Sequence, residues 1–172
     1  MNLDFLPLNE SHECYPRSPY AISKYLAEEM CDVFSSAHDL DIASLRPPGV
    51  WEAPATYDWI ANERKKRAAF EWDPFWEYGA FIDVRDLAQA GLSGIHQDFS
   101  GHHAVFVSSD DITTSGQTSY ALSNKIHPNV EWRGGAEFEE DPYRTLLSND
   151  AAKKLLNWAP VHLWSHFENG RL

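Results

Sequence analysis

The sequence predicts an α/β fold, and three observations carry that expectation. Short apolar segments, in part β-branched, recur at 41–45, 81–84 and 104–107. Longer stretches of helical period lie between and around them, and strands alternating with helices are the mark of an α/β layer architecture. Pro and Gly fall at the ends of these segments more often than inside them, which is where turn chemistry belongs.

Taken in order, residues 1–19 read as a loop, broken by Pro7, Pro16 and Pro19. Helix formers take over from Tyr20 to about Ser35, where Leu26, Met30, Val33 and Phe34 recur at helical spacing and predict a buried face. Segment 41–45 is a buried strand that Arg46-Pro47-Pro48-Gly49 stops in a tight loop. Residues 56–70 form a helix with a charged face, and 71–78 are rich in Trp and Phe without a period. After the strand at 81–84, Asp86 is a candidate N-cap for a helix running towards Ile95. His102-His103 reads as a turn before the strand at 104–107, and 118–125 as a further helix. The last clear helix is 149–156, capped by Ser148 or Asn149; Asn157 takes the left-handed closing position and Pro160 ends the element.

Composition narrows the function classes. At 172 residues the chain has the size of one domain, and 43% hydrophobic with 13% aromatic residues is enough for a core. A formal net charge of -12 argues against a nucleic-acid or anionic-membrane surface, which needs clustered Lys and Arg. The basic run 64–67 is accordingly read as a solvated helix face. Cys14 and Cys31 are the only cysteines, and a reduced pair is expected rather than a disulfide framework. No apolar run is long enough to span a bilayer, and residues 1–7 lack the basic and apolar regions of a signal peptide, so a cytoplasmic protein is expected.

The chemistry points to Ser18-Pro19-Tyr20-Ala21-Ile22-Ser23-Lys24. Tyr20 and Lys24 are four apart, which on a helix puts both side chains on one face, one turn from each other. An ammonium beside a phenol favours the phenolate, and a phenol so placed can give or take a proton on a hydroxyl or carbonyl. The same spacing also arises on ordinary solvated helix faces. His162 and His166 have the spacing of a metal pair but no Glu between them, and a surface or packing role is expected there, with no metal.

Four landmarks stand in an order that resembles the extended short-chain dehydrogenase/reductases of the NAD-dependent epimerase/dehydratase kind. Pro19-Tyr20-Ala21-Ile22-Ser23-Lys24, followed by Ala27-Glu28, resembles the P-Y-x-x-S-K…E active-site helix. Leu45-Arg46-Pro47-Pro48-Gly49-Val50-Trp51 resembles the L-R-P-x-x-V-Y loop. Phe81-Ile82-Asp83-Val84-Arg85-Asp86-Leu87-Ala88 resembles the Y-V-x-V-x-D-x-A turn into a helix, and Leu155-Leu156-Asn157-Trp158-Ala159-Pro160 the L-G-W-x-P near the family's C-terminus. The resemblance covers nearly the whole chain.

It implies the C-terminal portion of a Rossmann-type fold, with 1–50 as active-site helix, strand and loop and 51–172 as mostly substrate-binding region with returning Rossmann elements. It also implies Tyr20 as catalytic acid/base, Lys24 as the holder of the nicotinamide ribose, and Pro47, Pro48 and Gly49 as the loop facing the nicotinamide. For Arg46 a buried or half-buried ion pair is expected, and for Asp86 a capping role. No Gly-rich dinucleotide turn occurs in the sequence, since Gly91 and Gly94 give only a G-x-x-G fragment within a helix. The family's Ser/Thr partner of the Tyr would lie upstream of residue 1. The expectation is therefore a part of an NAD- or NADP-dependent oxidoreductase or epimerase, with no cofactor bound by this chain alone and no turnover of its own. The alternative is a non-catalytic remnant that binds itself or a partner; a homo-oligomer is expected either way. Gly49, where sugar-nucleotide epimerases usually carry Asn, and Tyr78-Gly79-Ala80, where they tend to carry Arg, point to a small substrate: a sugar, sugar acid or other hydroxy or carbonyl compound.

Overall fold

The computed structural model describes residues 3–66, 79–113 and 116–168. The expected helical stretch 67–70 and the aromatic run 71–78 lie outside the described residues.

Helix α1 (Pro19–His38) begins where its sequence says it should. Ser18, in extended backbone, accepts the Ala21 N–H on its hydroxyl at 3.1 Å, and Pro19 takes the first helical position, where its missing N–H costs nothing. Asp39 ends the helix in the left-handed region at φ 53°, its N–H closing on the Ser35 carbonyl. The chain then enters β2 (Ile42–Arg46), one residue later than the apolar pattern predicts, so that Arg46 is the last strand residue. Pro47 and Pro48 end it, and Gly49–Trp51 form a short strand, β3, where a loop was expected. Helix α2 (Ala55–Lys66) follows; β4 (Phe81–Asp83) then leads directly into α3 (Val84–His96).

Strand β5 spans His102–Phe106, so the two histidines belong to a strand and not to a turn. The correction has a cause: Gly101 supplies the turn at φ 83°, and its N–H is capped by the Asp41 carboxylate at 2.9 Å. The remaining elements are α4 (Ser119–Ile126), β6 (Glu131–Trp132), α5 (Glu137–Glu140), α6 (Asp150–Leu156) and α7 (Trp164–Glu168). Asn157 closes α6 at φ 48°, as predicted. Asn149 stands at the N-cap of α6 without capping it, because its amide is drawn to the Ser108 carbonyl and the Asp110 carboxylate, each at 2.8 Å.

Three parallel strand pairs are present among the described residues: β2 with β5, β3 with β4, and β1 (Phe5–Leu6) with β6. Parallel pairs need crossover connections, and the helices supply them. Alternation along β2 and β5 sorts the side chains. Ala43, Leu45, Val105 and Val107 turn into a core completed by Ile82, Ala90, Ala152, Leu156 and Trp158 from β4, α3 and the α6 region. Ser44, Arg46 and His102 turn the other way, towards α1.

That face reverses the expectation for α1. Its side towards the sheet is polar: Glu28 pairs with Arg46, and Asp32 lies 3.4 Å from His102, which in turn meets Ser44 at 2.9 Å. The apolar stripe points outward, with Leu26, Met30, Val33 and Phe34 all at least half exposed. Periodicity located the stripe but could not say which side of the helix would meet the sheet.

Candidate active site

Tyr20 and Lys24 both stand on α1, with the Lys24 ammonium 5.5 Å from the centre of the Tyr20 ring. Both are open to solvent, Tyr20 with 72% of its surface exposed. Lys24 also lines a cavity of about 620 Å³ together with Pro47 and Pro48, but Tyr20 and Gly49 are not among its lining residues. The structure thus brings four of the five expected residues into two overlapping groups, Tyr20 with Lys24 and Lys24 with the two prolines, while Gly49 lies just beyond.

The opposite wall of the cavity is the loop before α1, which sequence reasoning left without a role. A set of local bonds fixes it. The Asp4 N–H donates to His12 Nε2 at 2.9 Å, so His12 carries its proton on Nδ1 and donates it to the Glu13 carbonyl at 2.8 Å. Tyr15 donates to the Asp4 carboxylate at 2.8 Å, and Glu10 accepts the Phe106 N–H at 2.8 Å, which ties the loop to β5. The floor is Arg46, held by Glu28 through Nε at 2.9 Å and a second bond from Nη2. The expected half-buried ion pair of Arg46 is therefore present. The bonded carboxylate keeps the guanidinium charged, raising its pKa against the opposing effect of burial.

Gly49 owes its identity to space. Its φ is not left-handed, but a Cβ there would sit 2.9 Å from Trp51 Nε1. Positions 49 and 51 share a strand face, and the indole cannot retreat. Trp51 is only 4% exposed, stacked on Phe81 at 4.7 Å and edge-on to Tyr57 and Trp164 at 5.8 and 6.2 Å. Tyr57 anchors this aromatic box by donating to the fully buried Asp83 at 3.0 Å. Burial, reinforced by the Asp83 carboxylate, pushes the Tyr57 phenol up and keeps it a donor.

Asp83 also accepts the Arg85 N–H at 2.9 Å and the Arg85 guanidinium at 2.8 and 2.9 Å. Burial alone would raise its pKa, but these donors and the Tyr57 hydroxyl outweigh it and hold the carboxyl below its usual range. Asp83, and not Asp86, is the N-cap of α3. Asp86 is buried in the first turn and accepts from the backbone of Val161 and His162 at 3.1 and 2.9 Å and from the His162 ring at 2.8 Å, so it fastens the C-terminal segment to α3. His166 bonds the Val161 carbonyl at 3.2 Å, which leaves the two histidines in packing and surface roles. No group of three or more candidate metal ligands occurs among the described residues.

The model of the NAD-dependent epimerase/dehydratase family matches residues 4–105, more than half of the chain. The chain belongs to that family. It is 26% identical over 170 residues to a Methanocaldococcus jannaschii protein named as a candidate UDP-glucose 4-epimerase, covering 91% of this chain and 53% of that one. Among solved structures it is similar to the UDP-N-acetylglucosamine 4-epimerase from Bacillus cereus, with a TM-score of 0.56 at 17% identity over 92% of this chain and 55% of that one. It is also similar to RMD from Pseudomonas aeruginosa complexed with NADPH, with a TM-score of 0.57 at 18% identity over 93% and 56%. The fold is a partial Rossmann-type α/β fold of the extended short-chain dehydrogenase/reductase kind. The chain spans about half the length of the curated relatives it matches. Among the described residues, no helix is long and apolar enough to cross a membrane.

Proposed function

We propose that this chain carries the acid/base half of an NAD- or NADP-dependent oxidoreductase or epimerase for a small sugar, sugar acid or other hydroxy or carbonyl compound. One observation carries the reading: Tyr20 and Lys24 lie together on α1, and Lys24 shares a cavity with Pro47 and Pro48. In this reading 1–50 supplies the catalytic helix and nicotinamide-side loop, and 51–172 mostly the substrate region with returning sheet elements. Membership of the family supports the cofactor class.

The residues present fit one end of a dinucleotide. A cationic donor beside two rigid prolines at a cavity edge suits a ribose hydroxyl and a planar ring, whereas no Gly-rich turn is available for a pyrophosphate. When bound, the nicotinamide would accept or return the hydride. Tyr20 would hold the proton at its Oη and exchange it with the substrate oxygen, and Lys24 would donate to the ribose. The prolines, lacking N–H groups, would form a dry wall.

The 172 residues alone are expected to give no turnover, because rate acceleration needs cofactor, acid/base and substrate held together. In a chain completed to the length of its relatives, Tyr20→Phe should lower kcat by about 10²–10⁴-fold. Saturable NAD(P)H formation indifferent to Tyr20→Phe would overturn the reading. The outward apolar stripe of α1 further supports self-association, since monomers rarely leave such faces in water.

A further inference from the structure

Helix α1 and strand β2 run back along each other, joined at one end by the short turn 39–41. At 1.5 Å per residue, Tyr20 stands about 27 Å from His38 at that end, Lys24 about 21 Å and Glu28 about 15 Å. Strand β2 ends at Arg46, and Arg46 reaches Glu28. The turns of α1 before Glu28 therefore project past the end of β2. There Ala21, Lys24 and Tyr25 line the cavity instead of meeting a strand.

Among the described residues, two side-chain bridges join α1 to the sheet: Glu28 with Arg46, and Asp32 with His102. They are unlike. The Asp32 side chain is 74% exposed and lies nearer the turn, whereas those of Glu28 and Arg46 are each 23% exposed. Arg46 binds both carboxylate oxygens, Nε donating to Oε1 at 2.9 Å and Nη2 to Oε2. A forked pair of this kind fixes orientation as well as distance. The guanidinium is also held from its other sides, 5.6 Å from the centre of the Phe106 ring and 3.9 Å from Cys14 Sγ. The Arg46 carbonyl accepts the Val107 N–H at 3.3 Å, and Pro47 and Pro48 follow at once. One ion pair thus connects the helix bearing Tyr20 and Lys24 to the strand end bearing the prolines.

We infer that Glu28 and Arg46 are positioning residues of the acid/base site: the pair sets the tilt of the projecting turns, and with it the placement of Tyr20 and of Lys24 against the proline wall. The inference rests on the assignment of Tyr20 to the proton and Lys24 to the ribose. Leverage enlarges the effect. A displacement of about 1 Å at Glu28 tilts α1 by about 4° about the turn and moves Tyr20 by about 1.8 Å. Misplacement on that scale costs about 10²-fold in rate.

Residual dipolar couplings of the 172-residue chain measure the angle between α1 and β2. Glu28→Gln is expected to change it by about 4° or more. Glu28→Asp keeps the charge but shortens the arm by one methylene, so it should tilt the helix too, and it carries the test if Glu28→Gln fails to fold. Asp32→Asn loosens only the bridge nearer the turn and should leave the angle unchanged. In a chain completed to the length of its relatives, Glu28→Asp should lower kcat by about 10²-fold and raise KM for the dinucleotide, because Lys24 moves with the helix. Arg46→Lys, which cannot bind in a fork, should do the same. Tyr20→Phe should lower kcat with KM for the dinucleotide unchanged. An angle unaltered in both Glu28 variants would overturn the proposal, as would an equal tilt in Asp32→Asn or a kcat indifferent to a measured tilt. The couplings need no turnover, so a tilt together with a harmless Tyr20→Phe would strike the acid/base reading and not the geometry.

Discussion

Removing the carboxylate of Asp83 should destabilise the protein more than any other single polar change near the site. Asp83→Ala deletes the acceptor of four bonds: from Tyr57 Oη at 3.0 Å, Arg85 N at 2.9 Å, Arg85 Nε at 2.8 Å and Arg85 Nη2 at 2.9 Å. The four losses are unequal. The Tyr57 hydroxyl lies in the aromatic box, and leaving it unsatisfied costs about 1–3 kcal/mol. The Arg85 N–H is an N-terminal helix donor, and losing its cap costs about 1 kcal/mol. The guanidinium is half exposed, so water takes over and its loss costs about 1 kcal/mol or less. The sum is about 2–5 kcal/mol for Asp83→Ala. Tyr57→Phe should cost only about 1 kcal/mol, because Asp83 keeps three donors. In a double-mutant cycle the two changes should be strongly non-additive, since they share a bond. The sign with pH follows from the lowered pKa of Asp83. A carboxyl whose folded pKa lies below its unfolded value of about 3.9 stabilises the fold fully above that value. The advantage is lost as pH falls through the folded pKa, so the gap between wild type and Asp83→Asn should be constant near neutrality and shrink below about pH 4. Urea unfolding followed by circular dichroism at pH 7 and in acid measures both. A Tyr57→Phe cost equal to that of Asp83→Ala, or a gap that widens in acid, would refute the reasoning.

Other outcomes follow from the same geometry. Gly49→Ala should destabilise by about 1–3 kcal/mol through overpacking against Trp51, and the penalty should shrink in a Trp51→Phe background; thermal melts of the four proteins decide it. Glu28→Gln should destabilise by about 1–3 kcal/mol, because it leaves the half-buried Arg46 guanidinium with a neutral partner, and amide exchange in the middle of α1 should quicken. The apparent mass by light scattering should rise with concentration, and Met30→Glu should lower it by placing a charge on the outward stripe. A concentration-independent monomer would remove the basis for self-association.

The sequence by itself determined the class of fold, the order of its main elements and the helix that carries Tyr20 and Lys24. These are local properties. Ser18-Pro19 starts α1 through a side-chain cap and a fixed φ, Asn157 ends α6 because it tolerates left-handed backbone, and Pro47-Pro48 stop β2. The half-buried pair of Arg46 was legible too, because a charge at the end of an apolar strand needs a partner. Only the tertiary structure decided matters that depend on what lies across the fold. It turned the apolar stripe of α1 outward, because the sheet presents Arg46 and His102, which claim Glu28 and Asp32 on the other side of the helix. It gave the capping of α3 to Asp83 rather than Asp86, because Val161 and His162 arrive from 75 and 76 residues away and claim the Asp86 carboxylate. It joined Tyr57 to Asp83, and it set the loop bearing Arg17 against Lys24 to enclose the cavity. Periodicity and capping record what a residue does to its own backbone, whereas partners distant in sequence are chosen by burial, where an unmet donor or charge costs more than any local preference.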